Sequence, residues 1–140
     1  MKRILIGLGN SFRGDDAAGL EVASRVRSIE SHQCELGAYE LMDLWEGADE
    51  VIVVDAMVSS APPGTVRRFD PHLEALPPKS FASTHAIGVA ETVEMAKILG
   101  RLPERMTVYG IEAADVTAGT ELSPSVEQAV TSVIEEIDNA

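Results

Sequence analysis

Apolar residues along this chain come in two rhythms: short unbroken runs, and longer stretches in which they recur every three or four positions. Lys2 to Leu8 is a run of the first kind, and the closing Gly7-Leu-Gly-Asn10 lets the chain turn, so a strand is predicted to end there. From Asp16 to about Arg27, the residues Ala17, Leu20, Ala23 and Val26 keep helical spacing. Asp15 is placed to cap this helix, and two arginines stand near its carboxyl end, where the helix dipole favours cations. Cys34 to Ala38 reads as a short second strand, followed by a helical turn through Leu41, Leu44 and Trp45. Val51 to Val54 is an unbroken β-branched run, as in a strand buried on both faces of a parallel sheet, and Asp55 stands at its carboxyl end.

Residues 58 to 80 hold five of the seven prolines, set around an edge strand at Thr65 to Phe69. This is the segment expected to be most mobile and a place for a partner to make contact. Ser83 or Thr84 then caps a helix running to Leu99, with Ala86, Val89, Ala90, Val93 and Ala96 on one face, Gly100 after it and Pro103 beyond, which puts His85 in the first turn. Met106 to Ile111 reads as the last strand. Ser123-Pro124 opens a helix in which Val126, Ala129, Val130, Val133, Ile134 and Ile137 keep the period. Strands alternating with helices predict an α/β fold: one domain, residues 1–140, built as three layers α/β/α around a central, mostly parallel five-stranded sheet.

The totals narrow the function. A chain of 140 residues can bury a full core without a disulfide or a structural metal. With 45% apolar and 24% charged residues it has the balance of a soluble globular protein, and no apolar run nears the ~20 residues of a membrane span. Met1-Lys-Arg3 leads into an apolar run too short for a signal-peptide core, so a cytoplasmic protein is expected. Cys34 is the sole cysteine, expected in a buried strand, which excludes an internal disulfide and a thiolate cluster. Eleven basic against 23 acidic residues give a net charge of −12, which repels a phosphate backbone and excludes nucleic acid as a partner. The same acidity either keeps the protein soluble or selects a basic partner.

Candidate chemistry gathers at the carboxyl edge of the predicted sheet. Asp16 follows the first strand, Asp55 ends a central strand, and His85 opens a helix after another crossover, so all three can reach the crevice where open α/β sheets hold ligands. Two carboxylates and an imidazole suit a borderline divalent cation with positions left open, without favouring permanent zinc. A helix amino terminus would help keep His85 neutral, and general base is its other role. Each residue also has a structural reading: the Asp15-Asp16 pair as a helix start, Asp55 as a brace for the next loop, His85 as a surface or capping group. Gly7-Leu-Gly9 does not make a dinucleotide site, because the third glycine of that fingerprint would fall at Phe12. Asn10 is either a turn residue or a group that orients a substrate carbonyl. There is no nucleophile elbow.

Taken together, the stretch from Gly7 to Gly19 (Gly-Leu-Gly-Asn-Ser-Phe-Arg-Gly-Asp-Asp-Ala-Ala-Gly), Val53-Val-Asp55-Ala56, Ser83-Thr-His85-Ala-Ile-Gly88, and Gly110-Ile-Glu112 with Leu122-Ser-Pro124 resemble the hydrogenase maturation protease family in order and spacing along nearly the whole chain. The resemblance implies a phosphorylase/hydrolase-like α/β fold. It also implies an endopeptidase that trims the carboxyl-terminal extension of a nickel–iron hydrogenase large-subunit precursor once nickel is in place. Asp16, Asp55 and His85 would be both its catalytic and its metal-directed residues, with Asn10 and Glu112 positioning substrate. No tightly bound cofactor is implied: the nickel belongs to the substrate, and other divalent cations could occupy the same place. A monomer is expected. Two departures bear on loop geometry and precursor choice, Ala17 where many members have glycine and Ala113 where proline is usual, and the chain is shorter than many relatives, mainly before residue 55. Two rival readings are a non-catalytic chaperone that senses the same metal-loaded precursor, and peptidyl-tRNA hydrolase. The latter shares the opening Gly-Leu-Gly-Asn, but its histidine should follow that turn, where Asp15-Asp16 stand, and the charge of −12 opposes tRNA.

Overall fold

The computed structural model describes residues 1–35, 40–82 and 88–140. Five strands, β1 (Arg3–Leu8), β2 (Glu30–Cys34), β3 (Glu50–Met57), β4 (Val66–Phe69) and β5 (Arg105–Glu112), form one sheet in the order β2-β1-β3-β5-β4. All neighbours are parallel except β4, which runs antiparallel to β5 along the edge. The expected three-layer α/β/α architecture is therefore present. Helices α1 (Ala18–Arg25) and α4 (Pro124–Asp138) cover one face, enclosing Leu5, Ile52, Val54 and Ile111 with Val22, Val130 and Val133. Helices α2 (Leu41–Trp45) and α3 (Val89–Leu99) cover the other, over Ile4, Ile6, Val51, Val53 and Val108. Alternate residues of β1 and β3 thus point to opposite cores, which is why both strands read as unbroken apolar runs. No helix among the described residues is long and apolar enough to cross a membrane.

Several elements differ from the sequence expectation, each for a local reason. β2 begins at Glu30 and ends at Cys34, earlier than expected, because this edge strand exposes Glu30 and Gln33 and carries no apolar rhythm to read. Cys34 is buried at its end, and the expected continuation reaches residues 36–38, outside the described set. The first helix is shorter than its apolar spacing suggests: a 3-10 turn, Gly14–Ala17, precedes α1, and the chain is extended again at Val26. Asp15 does not cap it, since neither helical start has a side-chain cap. α3 begins at Val89 with Gly88 extended ahead of it; the expected start at Ser83 or Thr84 lies outside the described residues, as does His85. β3 runs two residues past Asp55, to Met57. The proline-rich segment is anchored by Phe69, Leu76 and Phe81, all buried in the core beside α3.

Candidate functional site

The chain leaves β1 for β2 on one side and then crosses to β3 on the other, so the strand order reverses between β1 and β3, and a crevice opens outside their carboxyl ends. Glycines bring α1 close to that point. A Cβ on Gly7 would collide with the carbonyl of Gly19, and a Cβ on Gly19 with the carbonyls of Leu8 and Val54. The helix backbone therefore lies directly on β1 and β3, and the turn before it is held at the sheet edge. A Cβ on Gly9 would strike the carbonyl oxygen of Asp16, and that same oxygen accepts the Asn10 N–H at 3.1 Å. The glycine pattern that resembles a dinucleotide motif serves close packing of strand, turn and helix.

Asp15 and Asp16 share this turn and have different surroundings. Asp15 is fully buried, and its Oδ2 accepts the N–H of Ala114 (2.8 Å), the N–H of Asp115 (2.9 Å) and the Ser123 hydroxyl (2.8 Å), while Oδ1 accepts the Ser123 N–H (2.7 Å). It ties the loop after β5 and the start of α4 to the turn. Asp16 is equally buried, at 2% exposure, and among the described residues has one ion pair, from Arg13 Nη1 to Oδ2 at 3.1 Å. Its Oδ1 has no hydrogen-bond partner among the described residues. Burial pushes the Asp16 carboxyl up to about 6 against the pull of the Arg13 guanidinium.

Asp55 lies on β3 opposite Gly110 of β5, one residue beyond the last β1–β3 pair, Gly7 with Val54. It is 4% exposed, and its Oδ1 accepts the N–H of Ala56. Burial first, and the nearby charge of Asp16 second, raise its carboxyl well above the ordinary range, with the Ala56 N–H pulling the other way. Two acids from different elements therefore face one another electrostatically in a dry place, and one has an oxygen open. Buried carboxylates without partners are costly, and such a pair is relieved either by holding a proton or by receiving a cation. The donor set fits a divalent cation with open positions. No group of three or more potential ligands assembles among the described residues, and the third expected ligand, His85, lies outside them.

The remaining expected residues take definite places. Asn10 uses its amide oxygen to accept the Phe12 N–H at 2.9 Å, which is the turn role. Glu112, 2% exposed at the end of β5, accepts the N–H of Ser59 at 2.9 Å and the Ser59 hydroxyl, and so fixes the chain just beyond β3. Glu112 pairs with Met57 across the strands, two residues along β3 from Asp55. Arg13 and Ser59 were not anticipated. Arg13 carries a readable signal, three residues before Asp16 in a turn, whereas the partner of Glu112 depends on a loop conformation that no period encodes.

Fold and site together define an α/β protein with paired buried acids at the carboxyl edge of its sheet. A family model described as hydrogenase maturation protease matches residues 35–140, which include Asp55 and Glu112, and the chain belongs to that family. The hydrogenase 2 maturation protease of Escherichia coli (strain K12) is 24% identical over 146 residues, covering 98% of this chain and 88% of that protein. The hydrogenase expression/formation protein HupD of Thiocapsa roseopersicina is 26% identical over 142 residues, covering 94% of this chain, which spans 64% of the longer relative. Among solved structures, the hydrogenase maturating endopeptidase HybD from E. coli superposes with a TM-score of 0.79 at 22% identity, over 98% of this chain and 90% of that one. The nickel–iron hydrogenase maturation protease HybD from Thermococcus kodakarensis superposes with a TM-score of 0.74 at 24% identity, over 99% and 98%. These superpositions concern the fold.

Proposed function

We propose that this chain is a cytoplasmic endopeptidase that removes the carboxyl-terminal extension of a nickel–iron hydrogenase large-subunit precursor, and that Asp16, Asp55 and His85 receive the nickel carried by that substrate. Family membership supports the reaction class. The observation that carries the site is the open Oδ1 of Asp16 beside a second buried acid, Asp55. A cation arriving there satisfies the open oxygen and removes the repulsion between the two carboxylates, so a loaded precursor is favoured over an empty one by differential binding. The metal enters with the substrate and leaves with it, which agrees with a ligand set too sparse to retain an ion permanently.

Docking the metal places the peptide that follows it against the sheet edge. A water positioned there, polarised by the metal or activated by a carboxylate, adds to the scissile carbonyl carbon. The tetrahedral adduct collapses, the C–N bond breaks, and the departing amine takes up a proton.

Incubating purified precursor, with and without nickel, and weighing it by mass spectrometry tests this reading. Loss of a carboxyl-terminal peptide from the nickel-loaded form alone is the expected result. An unchanged mass with retained binding would make the protein a chaperone of the same precursor.

A further inference from the structure

We infer that Arg13 is a positioning and selectivity residue: its one-point contact turns the open oxygen of Asp16 toward the cation position, and its fixed positive charge turns away free divalent ions in favour of a metal presented by a protein. This rests on the two-carboxylate reading of the site and deepens it.

The backbone holds Arg13 in place. Its N–H donates to the Asn10 carbonyl at 3.2 Å, and its own carbonyl accepts the Asp16 N–H at 3.0 Å, so the turn sets its side chain beside the acid three residues on. Nη1 reaches Oδ2 of Asp16, and among the described residues Arg13 makes no second ion pair. Arg3 also touches a single oxygen, of Glu50, but that acid is partly exposed and water can reach its other oxygen; Arg25 and Arg68 use their forks differently. Arg25 reaches Glu21 through Nε and Nη2 and Glu127 through Nη1 and Nη2, and Arg68 grips Glu136 through Nε and Nη2. A bridge whose purpose was to satisfy Asp16 would cover both oxygens, as the donors around Asp15 do. This one covers a single oxygen of a carboxylate that is almost wholly buried, and the other has no donor among the described residues.

Two consequences follow from that geometry. The contact fixes the carboxylate plane, so Oδ1 is pre-oriented and loses little freedom when a cation arrives. The guanidinium also lies one carboxylate away from any ion bound at Oδ1. Even with the full screening of water, a dielectric of ~80, a positive charge roughly 6 Å from a divalent ion weakens its binding by about tenfold. A free hydrated ion bears that repulsion with only two protein carboxylates to offset it. A metal already held by anionic groups of a precursor brings a lower net charge and further protein contacts, so the same arginine penalises it less.

Calorimetric titration of nickel(II) alone into the purified protein separates this role from simple support of the fold. Two neutral variants, Arg13→Gln and Arg13→Met, are expected to bind free nickel about tenfold more tightly than wild type, a gain that a merely structural residue would not give on removal. Arg13→Lys, which keeps the charge, should stay within about threefold of wild type on the same reasoning. Equal or weaker nickel binding by the neutral variants that fold, checked by thermal melting, would overturn the inference, as would an Arg13→Lys protein that binds as tightly as they do. An added Asp16→Asn change distinguishes the two layers. If it abolishes nickel binding while the neutral variants match wild type, only the role of Arg13 fails. If nickel binds nowhere, or binds regardless of Asp16, the two-carboxylate site fails with it.

Discussion

The carboxylate of Asp15 collects four donors from residues 114, 115 and 123, whereas Asp16, one position later and just as buried, has a single guanidinium on one oxygen and nothing on the other among the described residues. Both sit in one 3-10 turn between β1 and α1. The first region is a clamp. Its acid is taken out of water, and hydrogen bonds from backbone N–H groups offset that cost by fastening the β5–α4 loop to the turn. The second region is the proposed receptor, in which an arriving cation would relieve the cost of burying an acid with one open oxygen. Identical side chains thus differ by the donors around them, and that difference can be broken by substitution.

The largest effect expected is on processing. Asp16→Asn and Asp55→Asn should each lower turnover of nickel-loaded precursor by about 10³-fold or more, which corresponds to roughly 4 kcal/mol of transition-state stabilisation. Circular dichroism and melting should show an intact fold. Retained cleavage in both variants would remove these acids from the site.

Asp15→Ala should do the reverse, costing about 3–5 kcal/mol of stability by stranding several buried donors. Urea denaturation reads this directly, and a loss below about 1 kcal/mol would mean that the clamp carries little.

Gly19→Ala should fall between the two regions. A Cβ there meets the carbonyls of Leu8 and Val54, so α1 must lift from the sheet. A loss of ~1–3 kcal/mol is expected from overpacking, together with slower processing, because the turn bearing Asp16 moves with the helix. Loss of stability with full activity would show that the site tolerates that displacement.

The smallest effect is on the dependence of stability on pH. The Asp16 carboxyl is raised from the ordinary 3.8 to about 6 by burial, so the folded protein holds this proton more tightly than the unfolded chain does. Its contribution is therefore harmless below the unfolded value, and stability falls as pH rises between about 4 and 6, remaining lower above that window. Asp55, raised further by burial and by Asp16, acts with the same sign. Asp16→Asn should accordingly be more stable than wild type at pH 7.5 by on the order of 1–2 kcal/mol, with a flatter profile between pH 4 and 6. A variant less stable than wild type at pH 7.5 would contradict the view of Asp16 as an unrelieved charge.

Much of this was legible in the chain because burial writes a pattern. β1 and β3 are covered on both faces and read as unbroken apolar runs, and α4 is covered on one face and shows a clear helical period. β2 leaves no such pattern, because an edge strand of Glu-Ser-His-Gln-Cys has little to bury. That Asp16 and Asp55 come within electrostatic reach of one another followed from topology, since one lies in the turn after β1 and the other near the carboxyl end of the neighbouring β3. The division between Asp15 and Asp16 did not, because it depends on where the loop after β5 brings its N–H groups, a contact across some hundred residues. A preference for aspartate at helix starts suggested a cap for Asp15, and tertiary donors took the carboxylate instead.

Crystals of the protein soaked in a nickel or cadmium salt, with data collected at the metal absorption edge, would test the central claim most directly. The account predicts one anomalous peak per chain, about 2.0–2.3 Å from a carboxylate oxygen of Asp16 and another of Asp55, and absent in Asp16→Asn crystals. A peak that avoids both acids, or one that persists without Asp16, would contradict it.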